Sequence, residues 1–335
     1  MSITRSSAWQ WHVDLHRWLR LLWQVFVITL DVYGFAVVVL LVFRAVVGER
    51  WPIIAFTNLF LHFLLVASLV IVPIRLFARR RWLVILNLVP ALLLVAYYVP
   101  NFLPPSARAD SGTSIRVFSY NVSGGIVDVI ESFVDDVDPD VILLQDVNAG
   151  NVIYLNDALK PRYPYVAINM RELRAWVTFS RLPFVEDPYR DGEAAYQRIT
   201  VDVAGQPVTI YNVHLRSPIR QPRKRGIFFD FDTRGVQLEL LREAAAQRSD
   251  HVLLMGDFNL TEWSDLYPRM AADYQDAHRV RGWGFGFTRD AIGEIPIARI
   301  DYAFSSADLR PLAVHTWDYS AGSDHRPLLV DLAVN

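Results

Sequence analysis

Apolar positions follow two regimes along the chain. From about Leu21 to Leu103 they form long unbroken runs, and from Ser114 onward they come in short bursts closed by polar residues. The runs cover about 21–43, about 52–76 and about 82–103. Each is long enough to cross a hydrocarbon layer roughly 30 Å thick as a helix. Trp23, Trp51 and Trp82 sit near the run ends, where interfacial tryptophans belong. The first run is too long for a signal peptide, lacks a small-residue cleavage site, and is followed by two more. The pattern therefore predicts three transmembrane helices. Ahead of them, residues 1–20 hold Arg5, Arg17, Arg20, Trp9, Trp11 and Trp18, a basic and aromatic segment suited to a membrane surface. Asp31 interrupts the first run. A carboxylate there is costly unless it finds a partner; a bond to another span is the expected answer, and a polar contact in a path or substrate groove is the alternative.

Arginine bias sets the orientation. The N-terminal segment is basic, and Arg75, Arg79, Arg80 and Arg81 follow the second run. The loop after the first run has only Arg44 and Arg50, beside Glu49. Basic loops stay cytoplasmic, so everything after Leu103 is expected on the outer side.

Residues 104–113 read as a linker, and 114–335 as a globular domain of about 220 residues, ample for a core. Strands are predicted at Ile115–Tyr120, Val141–Leu144, Tyr165–Asn169, Ala175–Ser180, Ile199–Val203, Val208–Val213, Val252–Met255, Arg299–Phe304 and Leu328–Ala333. Helical patterns fit Val127–Val137, Asn151–Leu159, Thr233–Gln247 and Glu262–Met270. Many strands with few helices predict packed sheets covered by helices.

Composition then narrows the chemistry. The chain is 53% hydrophobic, too apolar for a soluble domain of its length. A net charge of −2 provides no global field for nucleic acid or an acidic partner. With no cysteine, disulfides, thiolate zinc sites and a cysteine nucleophile are excluded. What remains is a set of polar residues abutting strands: Asn121, Gln145-Asp146, Asn212 and His214, Asp257 and Asn259, Asp301, and Ser323-Asp324-His325-Arg326-Pro327. Any one is explained by a turn or a cap, but together they exceed what a packed core needs.

In this order the motifs resemble the endonuclease/exonuclease/phosphatase superfamily, which includes pancreatic deoxyribonuclease, abasic-site endonucleases, inositol-polyphosphate phosphatases and neutral sphingomyelinases. Gly256-Asp257-Phe258-Asn259 followed by Ser323-Asp324-His325-Arg326-Pro327 is the specific part of the match. The resemblance implies a four-layer α/β/β/α sandwich with its site at one rim, and a Mg²⁺-dependent attack of water on phosphorus. Mn²⁺ is the alternative ion. Three spans followed by this domain resemble the membrane phosphatases of glycopeptide resistance, which implies an undecaprenyl pyrophosphate or related lipid substrate. The bilayer and a phosphorylated lipid are then the partners, with no protein partner implied. A membrane-tethered nuclease or phosphodiesterase is the other reading, and near-neutral charge argues against it.

The residues fit phosphoryl chemistry, which needs charge neutralised and a water placed in line. Asp146 and Asn121 are expected to hold the metal, a hard cation that favours oxygen, with Asp324 as a further contact. Asp257 is expected to orient or deprotonate the water, and Asn259 to donate to it or to phosphoryl oxygen. His325 faces the phosphate with Asp301 behind it, and His214 and Asn212 donate to non-bridging oxygens. The family usually carries Gln-Glu where this chain has Gln145-Asp146, one methylene shorter. Past His214, a run with Arg216, Arg220, Arg223, Lys224 and Arg225 is followed by Phe228, Phe229 and Phe231. A charge run of this kind is usually a solvated face; its place beside the site also suits a clamp for a phosphate or lipid headgroup at a membrane surface. Gly282-Trp283-Gly284-Phe285-Gly286-Phe287-Thr288 reads equally as a loop over the site or as a plain turn.

Overall fold

The computed structural model describes residues 6–77, 81–103, 112–123, 125, 127–189, 195–220, 228–230, 232–249, 251–291 and 294–334. The chain divides into two compact units, Met1–Val99 and Pro100–Asn335.

The first unit is helical. Its long helix runs Ser6–Val47, and Ile85–Tyr98 forms another that continues as a 3-10 turn, Val99–Phe102. Both are long and apolar enough to cross a membrane. The run predicted at 52–76 is instead a pair, Pro52–Asn58 and Leu61–Phe77, bent by 61°. It counts as one span only if the bent pair crosses together. Asn58 sits at the bend, donating to Glu49 Oε1 at 2.8 Å and accepting from Arg44 Nε at 2.9 Å. The partner of Asp31 is Arg75, fully buried on Leu61–Phe77 and ion-paired with it. Val32, Phe35, Val39, Phe63, Leu69 and Leu92 face outward and exposed, a pattern that suits lipid better than water.

The second unit is built on two sheets. One has six strands in the spatial order Leu309–Thr316, Leu328–Val334, Ser114–Asn121, Val141–Asn148, Arg174–Ser180, Tyr165–Arg171. The other has five, ordered Gln275–Asp276, Asp301–Ser305, His251–Asp257, Gln206–His214, Tyr196–Val203. The central strands are apolar on both faces because both faces are covered. Successive side chains alternate. Val141, Leu143, Leu253 and Met255 therefore point into the core between the sheets. Ile142 and Leu144 point outward under helices Asp128–Val137 and Ala149–Leu159. Val252 and Leu254 point outward under Asp232–Ala246 and Tyr267–Asp273. Three buried clusters separate four layers, helix, sheet, sheet, helix.

Leu309–Thr316 and Tyr267–Asp273 are among the elements that depart from the sequence-based expectation. Leu309–Thr316 is a strand that no apolar run announces. It pairs only with Leu328–Val334, so Pro311 sits on a sheet edge beside a bulge, where a missing donor is tolerated. The helix expected at 262–270 starts later, at Tyr267–Asp273, with Pro268 in its first turn where its fixed φ fits.

Candidate active site

Parallel pairing gathers the polar strand ends. Ser114–Asn121 runs parallel to Val141–Asn148, and Gln206–His214 parallel to His251–Asp257. Asn121, Gln145, His214 and Asp257 therefore emerge at one rim of the sandwich. Asp301 joins them through antiparallel register, directly opposite Asp257.

Gly256 makes this meeting possible. It holds φ +138°, and a Cβ there would lie 2.2 Å from the Val213 carbonyl and 3.0 Å from Gln145 Nε2. Only glycine fits both the backbone and the space.

Asp257 is the hub. It is buried and accepts from Asn121 Nδ2 at 2.9 Å, from Asn259 Nδ2 at 2.7 Å and from the Asn259 backbone N–H at 2.7 Å. Asn259, at φ +51°, is thus turned onto Asp257. It also donates to the Leu215 carbonyl at 3.0 Å, and Arg234 clamps its carbonyl. Its amide hydrogens are thus spent on Asp257 and on Leu215, while the sequence reading had it donate to the water or to phosphoryl oxygen. Asp257 Oδ2 lies 3.6 Å from His214 Nε2 and 3.7 Å from His325 Nε2, one oxygen between two imidazoles.

His325 rides the connection into the last strand, held by its backbone N–H on Ser323 Oγ at 3.0 Å. Its Nδ1 lies 3.0 Å from Asp301 Oδ2. Burial works against charge on this ring, but Asp301 and Asp257 outweigh it and raise the imidazole to about 9. Arg289 Nη1 lies 2.8 Å from Nε2 and can only donate. Nδ1–H points to Asp301, and the two carboxylates favour the protonated ring near neutral pH, while the Arg289 charge opposes it. Burial and the Asp301 charge push the Asp257 carboxyl up, although both imidazoles oppose them.

Other predicted residues take different places. Asn212 is buried between the sheets, where its Oδ1 accepts from Gln145 Nε2 at 2.8 Å and its Nδ2 donates to the Leu144 carbonyl and to Thr178 Oγ1 at 3.2 Å each. It ties the two sheets together beneath the site. Asp146 is thrown into the left-handed region, φ +56°, by a bulge between Leu144 and Val147. Its carboxylate turns to Arg174 Nη1 at 3.5 Å. Asp324 pairs with Arg289 Nη2 at 2.5 Å, with its other oxygen 3.9 Å from His325 Nε2. Arg216 lies 3.6 Å from Asp230 Oδ2. Arg220 belongs to a short strand, Ile219–Arg220, while Arg223, Lys224 and Arg225 lie outside the described residues.

A cluster of candidate metal ligands lies at the centre of this arrangement. Among the described residues, Asp257, Asp301 and His325 bring ligand atoms within 4.8 Å of one another. Two carboxylate oxygens and one imidazole nitrogen suit a hard or borderline ion.

Three residues were given no individual role from the sequence. Arg289 covers His325, Trp176 packs on His214 with ring centroids 5.9 Å apart, and Thr288 Oγ1 accepts from the Asp301 backbone N–H at 3.0 Å. The signal for Thr288 and Arg289 was the Gly-aromatic stretch before them. That loop wraps His278: a Cβ on Gly282 or Gly286 would strike its ring, and His278 Nε2 lies 3.1 Å from the Gly284 carbonyl.

Comparison with known proteins agrees with the fold. The family described as Endonuclease/Exonuclease/phosphatase matches residues 118–325. A Beutenbergia cavernae DSM 12333 endonuclease/exonuclease/phosphatase is similar with TM-score 0.52 and 19% identity, over 67% of this chain and 72% of that one. A Bacteroides vulgatus endonuclease/exonuclease/phosphatase gives TM-score 0.54 and 17% identity, over 67% and 100%. Humanized D. rerio TDP2 gives 0.51 and 17%, over 66% and 99%. No curated sequence matches.

Proposed function

Because the chain belongs to the endonuclease/exonuclease/phosphatase family, whose members are metal-dependent hydrolases of phosphate esters, we propose that this hydrolase works on a membrane-borne substrate, a lipid-linked or isoprenoid phosphate or pyrophosphate. The observation that carries the proposal is the joining of a buried Asp257–Asp301–His325 cluster to a helical unit with lipid-suited outer faces. The order of spans and domain, as in the glycopeptide-resistance phosphatases, supports the same substrate class.

The chain's own residues account for water handling. Asp257 Oδ2, held by two amide side chains, is an acceptor fixed in place for an attacking water. That carboxylate takes up the water's proton, and His325, held as a cation by Asp301, faces the phosphoryl group. His214 sits on the far side of the same oxygen and donates toward a phosphoryl group. A divalent cation bound by Asp257 and Asp301, Mg²⁺ on the family's precedent, would neutralise phosphoryl charge and acidify the water.

The test is phosphate release by the full chain in detergent, from undecaprenyl pyrophosphate, a phospholipid, sphingomyelin and DNA, with Mg²⁺ or with EDTA. Release from the isoprenoid diphosphate is expected to dominate and to stop in EDTA. Asp257→Ala and His325→Ala are each expected to lower kcat by several orders of magnitude with the fold intact. DNA as the preferred substrate would establish the tethered-nuclease reading in its place.

A further inference from the structure

Glycine and aromatic residues alternate through Gly282-Trp283-Gly284-Phe285-Gly286-Phe287. Gly282 and Gly286 press on the His278 ring, and Gly284 and Gly286 hold φ of +81° and +64°. The backbone therefore turns tightly against His278, and the large side chains are left outside. Trp283 is 70% exposed and Phe285 40%, whereas Trp176, Trp263 and Trp317, the other tryptophans of the second unit, are buried. The segment between Asp276 and Asp290 holds no carboxylate, and Arg279, Arg281 and Arg289 bracket the aromatic residues. Exposed rings flanked by cations suit the boundary between lipid headgroups and acyl chains, where an indole keeps one wet edge and one apolar face.

The loop is fastened to one short stretch of the same unit. The Gly284 N–H donates to the Asn101 carbonyl at 2.9 Å, and Arg279 Nη1 donates to Asn101 Oδ1 at 2.9 Å. Phe102 meets both exposed rings edge-on, with centroids 5.6 Å from Trp283 and 5.2 Å from Phe285. Phe102 and Leu103 are exposed as well. Phe102 is also the last residue of the apolar helical segment Ile85–Phe102, which is long enough to cross a membrane. The aromatic patch is therefore tied to the residue at which such a span leaves hydrocarbon.

We propose that Trp283 and Phe285, with Phe102, form an interfacial anchor that dips into the headgroup–acyl boundary of the bilayer crossed by Ile85–Phe102. The proposal rests on reading that segment as a span and extends the reading of a membrane-borne substrate. The same loop runs on into Thr288 and Arg289, which hold the Asp301 backbone and His325. Anchoring it keeps the catalytic rim beside the headgroup layer. Trp283 and Phe285 take no part in bond making.

The chain contains no cysteine, so a single engineered one is labelled alone. Trp283→Cys and Phe285→Cys, each leaving the other ring in place, are made in the full chain and labelled with nitrobenzoxadiazole. The proteins are reconstituted in phosphatidylethanolamine–phosphatidylglycerol vesicles, with and without phospholipids spin-labelled along the acyl chain. Leu92→Cys, at an exposed position of Ile85–Tyr98, reports on the span. Ile153→Cys, at an exposed position of Ala149–Leu159, reports on a surface in water. Labels replacing Trp283 and Phe285 are expected to shift to the blue and to lose most of their emission to the spin label, while the label replacing Ile153 keeps its own. Quenching at Leu92 with no more quenching at Trp283 and Phe285 than at Ile153 overturns the anchor and leaves the span standing. No quenching at Leu92 removes the span on which the anchor rests, and both readings fall together.

Discussion

At the scale of the residue, the catalytic candidates were legible because each interrupts an apolar run. Asp257, Asp301 and His325 are unexpected in a core, and the structure gathers them at one point. Asn212 was equally visible but serves elsewhere, since its role depends on a partner 67 positions away across the sheets, Gln145. No local pattern encodes that pairing. Asp146 illustrates the same limit, because a one-residue bulge re-aims it. His278 drew no notice in the sequence, yet the Gly-aromatic loop closes around it. Burial, with Arg299 beside it, pushes this imidazole down to about 4, from 6.5 in the unfolded chain. Below pH 6.5 the unfolded chain takes up a proton that the folded domain refuses until pH approaches 4. The contribution of His278 to stability is therefore complete above 6.5 and lost as pH falls toward 4. Urea unfolding of the full chain should show a lower midpoint at pH 5 than at pH 7, with a smaller drop in His278→Gln. Parallel losses in both proteins would assign the pH response to other groups.

At the scale of the element, nine strands were readable from apolar bursts, and the structure extends most of them by a residue or more at their polar ends. The edge strand Leu309–Thr316 was not readable, because its exposed face and its proline dilute the pattern. The bend between Pro52–Asn58 and Leu61–Phe77 was invisible in hydropathy alone, which counts apolar content and ignores direction. Gly256 supplies the prediction here. Gly256→Ala should destabilise the catalytic domain by about 3 kcal/mol or more, since a methyl group would meet a backbone carbonyl that cannot move alone. Gly205, also at positive φ but with open space around it, provides the control. Gly205→Ala should cause only a small shift, about 1 kcal/mol of backbone strain. Thermal unfolding of the two variants measures the difference, and equal shifts would mean that backbone conformation, not the close approach, governs position 256.

At the scale of the whole molecule, the division into an apolar helical part and a sandwich was plain from composition, and the contact boundary at Val99/Pro100 falls just before the linker expected at 104–113. Orientation is a separate matter, argued from arginine bias alone. A reporter fused after the last residue should read as outside the cytoplasm, and one inserted at 79–81 as inside; the reverse pattern would remove an outer-leaflet substrate from consideration. The two-sided burial of the central strands also limits how such a protein can change over generations. An insertion or deletion of one residue within Val141–Asn148 or His251–Asp257 would exchange the inner and outer faces beyond it and misplace two cores at once. Changes in length are therefore confined to the connections, while the strands that bear Asp257 and Asp301 stay in register. Descendants of this chain can acquire new substrates by rewriting loops, with the water-handling machinery inherited unaltered.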